Sequence, residues 1–470
     1  MTEIAQLENG RLIEYLPEMI AQGSMKDVYL TQDKECVLCF YKHDRHQTNR
    51  LRRLQHILTT FNPTLPDKKH ADYWHKLFCW PTAIITQPIL GIMVPVYPGP
   101  YLFASGRWQG QEKKSRWFVS PKLRSYLPQT EQGNWINYYK ISILLARAVS
   151  RLHLAGLAHS DLSDNNVLID PVSGQMILID LDALVVPHIF PPDVEGTPGY
   201  IAPQVQTTMR LAADDPKKQV ASILTDQHAL AVLIYEYLLN RHPLRGPKIH
   251  STHSAEEDER LSLGEKALFI EHPFDSSNHP KTGLTVPVTA LGSSLTSLFY
   301  QAFVTGLHRP HKRPSAYQWE SGLIQTWDKL HPCPNPNCTQ QWFIVLPEQT
   351  HCPFCHTAIK TPIPILTRRA QKRPGQWMRI GEIVIYDGQG LFKWHVFDNI
   401  FPGPSVDRTL QAYCVFYQEK WLLINQALTS LTSADGHRVD INQAVELKAG
   451  APIRLSQEAH GCLVEVWANT

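Results

Sequence analysis

"HSDLSDNNVLID", residues 159–170, sets three carboxylates and two adjacent amides on a segment that runs into an apolar strand, with no Lys or Arg inside it. A carboxylate taken out of water without a partner is costly. Such a cluster therefore needs a cation, a dense hydrogen-bond network or open solvent.

Working outward, the pattern after residue 134 is helical. Ile141, Leu144, Leu145, Ala148 and Leu152 share one face, and Gly156 is placed to end the helix. A second helix follows Asp226, a candidate cap, with Leu230, Leu233, Ile234, Tyr237 and Leu238 at helical spacing. Before them, "DVYLTQDKECVLCFYK" and "GIMVPVYPG" alternate short apolar runs with turns, as in a small, mostly β lobe.

At 470 residues the chain exceeds one core and is expected to hold several domains. Lys plus Arg (45) nearly balances Asp plus Glu (43), so no global field draws it to nucleic acid or to an anionic membrane. The start, "MTEIAQLENGRLIEYLPEMI", lacks the basic opening and apolar run of a secretory signal. The most apolar region, residues 81–104, is broken by Thr, Gln, Gly and repeated Pro, which argues against a membrane span. A cytoplasmic location is expected.

Three segments decide the chemistry. His159, Asp161, Leu162 and Asn166 satisfy H-x-D-L-x-x-x-N, Asp180 follows fourteen residues after Asn166 in "ILIDLDAL", and "GTPGYIAPQ" occupies 196–204. Their order and spacing resemble the eukaryotic-type protein kinase fold over roughly residues 11–330. More closely, "AHSDLSDNNVLIDP" and "IDLDALVVPHIFPPDVEGTPGYIAP" are similar to bacterial Ser/Thr kinases of tellurium-resistance-associated triads. The resemblance implies ATP with Mg2+ or Mn2+, protein substrates, and a metal-dependent Ser/Thr phosphatase and a von Willebrand A-domain protein as partners. It also assigns roles: Asp161 orients or deprotonates the acceptor hydroxyl, Asn166 and Asp180 hold metal, and Thr197 contacts the catalytic loop. The opening cluster is then answered by a cation that arrives with the nucleotide.

In the β lobe, "AQGSMKDVY" aligns with the phosphate-covering loop, keeping only its middle glycine, Gly23, with Ala21 and Lys26 where glycines usually sit, and Val28 precedes Lys42 by fourteen residues. On that alignment Gly23, Val28 and Lys42 bind nucleotide, Lys42 contacts the α and β phosphates, and Phe40 lies against the adenine. There are departures. Ser160 and Ser163 stand where the family commonly has basic residues, and Gln204 replaces a glutamate, with Arg313 its expected partner. No glutamate occurs between Glu35 and Glu112, so Lys42 lacks its usual acid, with Gln47, Gln55 or Asp44 as substitutes. A pseudokinase scaffold and a small-molecule phosphotransferase therefore stay open. "GTPGYIAP", which shapes a polypeptide-docking groove in protein kinases, weighs against the latter.

Four of the nine cysteines fall within 333–355. Cys333 with Cys338 and Cys352 with Cys355 form two close pairs across a hairpin-sized spacer, the arrangement of a structural Zn2+ site. Cys36 and Cys39, three apart in a strand, point to opposite faces and read as packing. The last segment alternates as a β-sandwich and resembles a forkhead-associated domain, with Asp435 and Gly436 at its Asn-Gly turn and Gln411 where the family has histidine. Arg408 and Thr409 are its candidate phosphate contacts, and plain protein docking remains equally open. The expected fold class is multidomain α+β: a bilobal kinase fold (11–100 and 101–330), a zinc ribbon (331–359), a linker (360–375) and an all-β sandwich (376–470).

Overall fold

Strands β1 (Glu3–Leu7), β2 (Leu12–Gln22), β3 (Lys26–Thr31), β4 (Cys36–Tyr41), β5 (Ala83–Gln87) and β6 (Gly91–Pro95) close on themselves in the order β1-β2-β3-β4-β6-β5. The lobe thus begins at Glu3, ahead of the expected residue 11, because β1 supplies the strand that joins β2 to β5. The β3–β4 turn is fixed by Asp33, whose Oδ1 accepts from the Thr31 hydroxyl at 2.6 Å and the Glu35 amide at 3.0 Å. Successive β4 side chains take opposite faces. Leu38 and Phe40 pack inside the barrel with Ala5, Leu7 and Ile85. Cys39 and Tyr41 face the other way, into a cluster with Leu54 of helix α1 (Gln47–Leu58) and with Leu168 and Ile179 of the second lobe.

This structure is a computed structural model that describes residues 2–23, 25–42, 47–186, 189–192, 196–359 and 363–468. It divides into two units, residues 1–284 with 297–320, and residues 285–296 with 321–470.

In the first unit, the helix Trp135–Leu154 starts where the Asn134 side chain accepts the Asn137 amide, at 3.2 Å. Ser222 and Thr225 form a capping box for the helix Ile223–Leu239, which is buried along nearly its whole length. Asp226 is therefore not the cap; it sits inside the first turn and faces inward. The indole of Trp135 donates to the Leu238 carbonyl at 3.0 Å, tying the two helices together. The hairpin of β7 (Val167–Asp170) and β8 (Gln175–Leu178) follows the opening stretch.

The second unit is all β beyond residue 328, apart from one short helical turn. β9 (Leu330–Pro332) and β10 (Trp342–Ile344) pair beneath the cysteines. β11 (Pro364–Arg373), β12 (Gln376–Val384), β13 (Gly390–Leu391), β14 (Ala412–Tyr417), β15 (Lys420–Asn425), β16 (Ala444–Glu446), β17 (Pro452–Arg454) and β18 (Leu463–Ala468) form two four-stranded sheets, β12-β11-β18-β17 and β13-β14-β15-β16. Leu366, Ile383, Cys414, Leu423, Ile453 and Val464 make the core they share.

The expected linker is corrected here. Residues 364–373 are a central strand, and Pro374–Gly375 is its hairpin turn, with Gly375 at φ +76°. The run of bases hid the strand, because Arg369 points outward to Glu465 at 2.9 Å while Leu366 and Ala370 enter the core. Residues 360–362 lie outside the described residues. Among the described residues no helix is long and apolar enough to cross a membrane.

Candidate active site

The catalytic loop is held from below and from both sides. The buried Asp226 carboxylate accepts the His159 amide at 2.7 Å and meets His153 Nε2 at 3.2 Å. His159 Nε2 lies 2.9 Å from the Ile179 carbonyl, and the Ile179 amide donates to Asn166 at 3.0 Å. These bonds clamp Ser160 and Asp180 in the left-handed region, at φ 69° and 63°. A non-glycine residue stays in that region only where its surroundings fix it. Asp226, a candidate cap in the sequence, is instead a buried anchor of this loop.

Asp161 is fully engaged. Its Oδ1 accepts the Thr197 hydroxyl at 2.8 Å, and its Oδ2 accepts Asn166 Nδ2 at 3.1 Å. The Ser163 hydroxyl lies 3.1 Å from Thr197 Oγ1, which can accept from it, so "GTPGY" is pinned to the loop of Asp161. Asn166 Nδ2 donates to the Asp161 carbonyl too, at 2.8 Å, which leaves Oδ1 of Asn166 for a hard cation. Beneath, the Tyr200 hydroxyl donates to Glu236 at 2.6 Å. Burial pushes the Glu236 carboxyl up to about 8. Gln204 accepts from Arg313 at 2.8 Å, the pairing read from sequence.

The other wall departs from expectation. Lys42 does not reach these carboxylates: its Nζ donates to the Gly23 carbonyl at 2.7 Å and sits 3.3 Å from Asp27. Lys26 reaches them instead, with Nζ at 2.7 Å from both Asp180 Oδ1 and Asp182 Oδ1. Asp182 is buried, and its second oxygen accepts the Tyr41 hydroxyl. Burial alone would push the Asp182 carboxyl up, but the Lys26 ammonium overrides it and holds the group below the ordinary range. The same burial would pull Lys26 down, and Asp182 with Asp180 holds it well above.

Arg50 of α1 stacks on Tyr41, 4.4 Å from the ring centroid. Among the substitutes considered for the missing glutamate, Gln55 bonds Glu8, while Asp44 and the Gln47 side chain lie outside the described residues. Sequence reading missed Lys26, Tyr41 and Asp182.

The register explains the displacement. Val28 pairs with Cys39 and Lys26 with Tyr41. Cys39, not Phe40, is therefore the residue that lines the cleft with Val28. They line a cavity of about 660 Å3 together with Val94, Leu102, Glu112 and Lys114. Gly23 forms the hairpin tip above, its amide on the Lys26 carbonyl at 2.8 Å.

In the second unit, the sulfurs of Cys333, Cys338, Cys352 and Cys355 all lie within 4.8 Å of one another. Four thiolates around zinc stand about 3.8 Å apart, from a Zn–S bond of about 2.3 Å, so this donor set fits that ion. On the sandwich, Gln411 is buried and donates to the Thr409 carbonyl at 3.0 Å. Arg408 is exposed, and Thr409 donates to Asp407 at 2.6 Å. Asp407 in turn pairs with Lys393 at 2.8 Å.

Comparison with known proteins follows this geometry. A rhoptry kinase from Toxoplasma gondii is similar at 14% identity and TM-score 0.44, over 69% of this chain and 82% of that one. The kinase domain of a T. gondii specific rhoptry antigen is similar at 14% identity and TM-score 0.38, over 66% and 88%. No curated protein matches. Residues 126–320, which hold Asp161, Asn166, Asp180 and Thr197, match the family described as protein kinase domain.

Proposed function

We propose that the chain is a cytoplasmic Ser/Thr protein kinase that transfers the γ-phosphate of ATP to protein hydroxyls. The observation that carries this reading is the Asp161 carboxylate, held by Thr197 and by Asn166, whose backbone carbonyl in turn accepts the amide of Ile179 next to Asp180. Asn166 Oδ1 and the half-exposed Asp180 carboxylate would hold Mg2+ or Mn2+, which neutralises phosphate charge when bound. Asp161 accepts a hydrogen bond from the incoming hydroxyl and takes its proton. Thr197 keeps that carboxylate aimed while its own segment shapes the docking groove. By the resemblance given above, the acceptors include a partner phosphatase or a von Willebrand A-domain protein.

The second unit supplies a structural zinc site at the four cysteines and a forkhead-associated-like docking sandwich. A closed four-sulfur shell leaves no open position for chemistry, so its part is bracing or binding. The pseudokinase reading is favoured by one observation, the lack of any acid on α1.

The deciding experiment is incubation with Mg2+ and γ-labelled ATP, with Asp161→Asn alongside. Label on the wild type or an added partner that the variant lacks supports the kinase. Silence from a folded wild type with candidate partners present leaves the scaffold.

A further inference from the structure

In the phosphoryl-transfer site as usually built, a lysine on the strand after the phosphate loop holds the α and β phosphates, and a helix glutamate holds the lysine. Here the strand position that faces the cleft is Tyr41, and the helix beside it presents Arg50. Neither half of the usual pair is where it belongs. The charge has moved one strand over. Lys26 stands directly across the ladder from Tyr41, on the same face, and its ammonium touches the same carboxylate that the Tyr41 hydroxyl touches.

We propose that Lys26 is the lysine that binds the nucleotide phosphates, that Asp182 is its fixed counter-charge in place of a helix glutamate, and that Lys42 has no part in the site. This rests on the kinase reading above. Two observations support it beyond the distances. Asp182 is 4% exposed while Asp180 is 42% exposed, so the two carboxylates that share Lys26 are unequal. The buried one is a permanent anchor. The open one can leave the ammonium for a metal ion, freeing Lys26 to take a phosphate oxygen. Lastly, two carboxylates against one ammonium leave a surplus negative charge at the cleft. A divalent cation bridging Asp180 and the polyphosphate would offset that charge locally.

The test measures binding of Mg2+–AMP-PNP by calorimetry and transfer from γ-labelled ATP in Lys26→Met, Lys42→Ala and the double variant Lys26→Met with Tyr41→Lys. Lys26→Met should weaken binding about tenfold or more and transfer by about 10²-fold, the scale for loss of one charged phosphate contact. Lys42→Ala should stay within about threefold of wild type, the size of a surface change. Lys26→Met also leaves Asp182 unpaired and risks misfolding, so the double variant is essential. It restores an ammonium on the same face from the opposite strand, and should regain at least about tenfold over the single variant.

A folded Lys26→Met that binds and transfers like wild type overturns the assignment while leaving the kinase intact. So does a Lys42→Ala with the larger loss, or a folded double variant with no recovery. A wild type that neither binds Mg2+–AMP-PNP nor transfers phosphate overturns the kinase reading itself, and this assignment with it.

Discussion

The loop 159–166 and the β2–β3 hairpin place their charged groups by different geometry. In the loop, Asp161 and Asn166 are five residues apart and bond each other directly, at 2.8 and 3.1 Å. Their relation is written along the chain. In the hairpin, Lys26 and Tyr41 become neighbours only through the pairing of two strands. There, a slip of one residue would exchange the cleft face for the barrel interior. Local constellations are set by spacing, and cross-strand ones by register.

The largest expected effect lies in the loop. Asp161→Asn keeps the shape and one acceptor for Thr197, sets an amide against the Asn166 amide, and removes the proposed base, so transfer should fall about 10³-fold, within the usual range for a general base. A loss of less than tenfold would place the essential carboxylate elsewhere and erase the contrast.

Next comes the other sequence-local cluster, the four cysteines. Elemental analysis should find one zinc per chain, and Cys338→Ser or a strong chelator should strip it and remove hydrogen-exchange protection between β9 and residue 359, because metal binding there is folding energy. Zinc-free protein with that protection intact would sink the assignment.

Tyr41→Phe probes the cross-strand side. It removes the phenol that donates to the buried Asp182 and should cost about 1–3 kcal/mol in denaturant unfolding of the first unit. No measurable change would mean that the tyrosine merely fills space.

A pH dependence is also expected. Burial pushes the Glu236 carboxyl up from 4.5 to about 8, so folding takes up a proton between those values. Its raised value therefore costs nothing at low pH and erodes stability progressively as pH climbs through that window. Glu236→Gln still accepts from Tyr200 and does not titrate. Its melting temperature should gain on wild type from about pH 5 to pH 8. A constant offset between the two would show that Glu236 does not titrate there.

Reading the sequence recovered what is local. H-x-D-L-x-x-x-N, the Thr197 turn, the Gln204–Arg313 pair and the cysteine cluster all occupy the places expected of them. It misplaced Lys42 and Phe40 because "CVLCFY" is apolar throughout, with burial on both faces, and gives period-two alternation nothing to mark its phase. The available signal was Lys26 itself, a charged side chain where the loop normally closes on glycine. Asp226 was misread for want of attention to Ser222 and Thr225, which already form the cap. The strand 364–373 was masked by outward-facing arginines whose acidic partner, Glu465, lies far along the chain.

The register that puts Cys39 in the cavity wall also bears on inhibitors. A cysteine beside a nucleotide invites covalent capture, but only a thiolate attacks an electrophile. Burial pushes this thiol up to about 12, and it is 7% exposed. At neutral pH it stays protonated and unreactive. Its sulfur acts as bulk in the wall, so discrimination among small molecules in this cleft comes from shape, and acrylamide-type warheads directed at Cys39 should gain nothing over their saturated analogues.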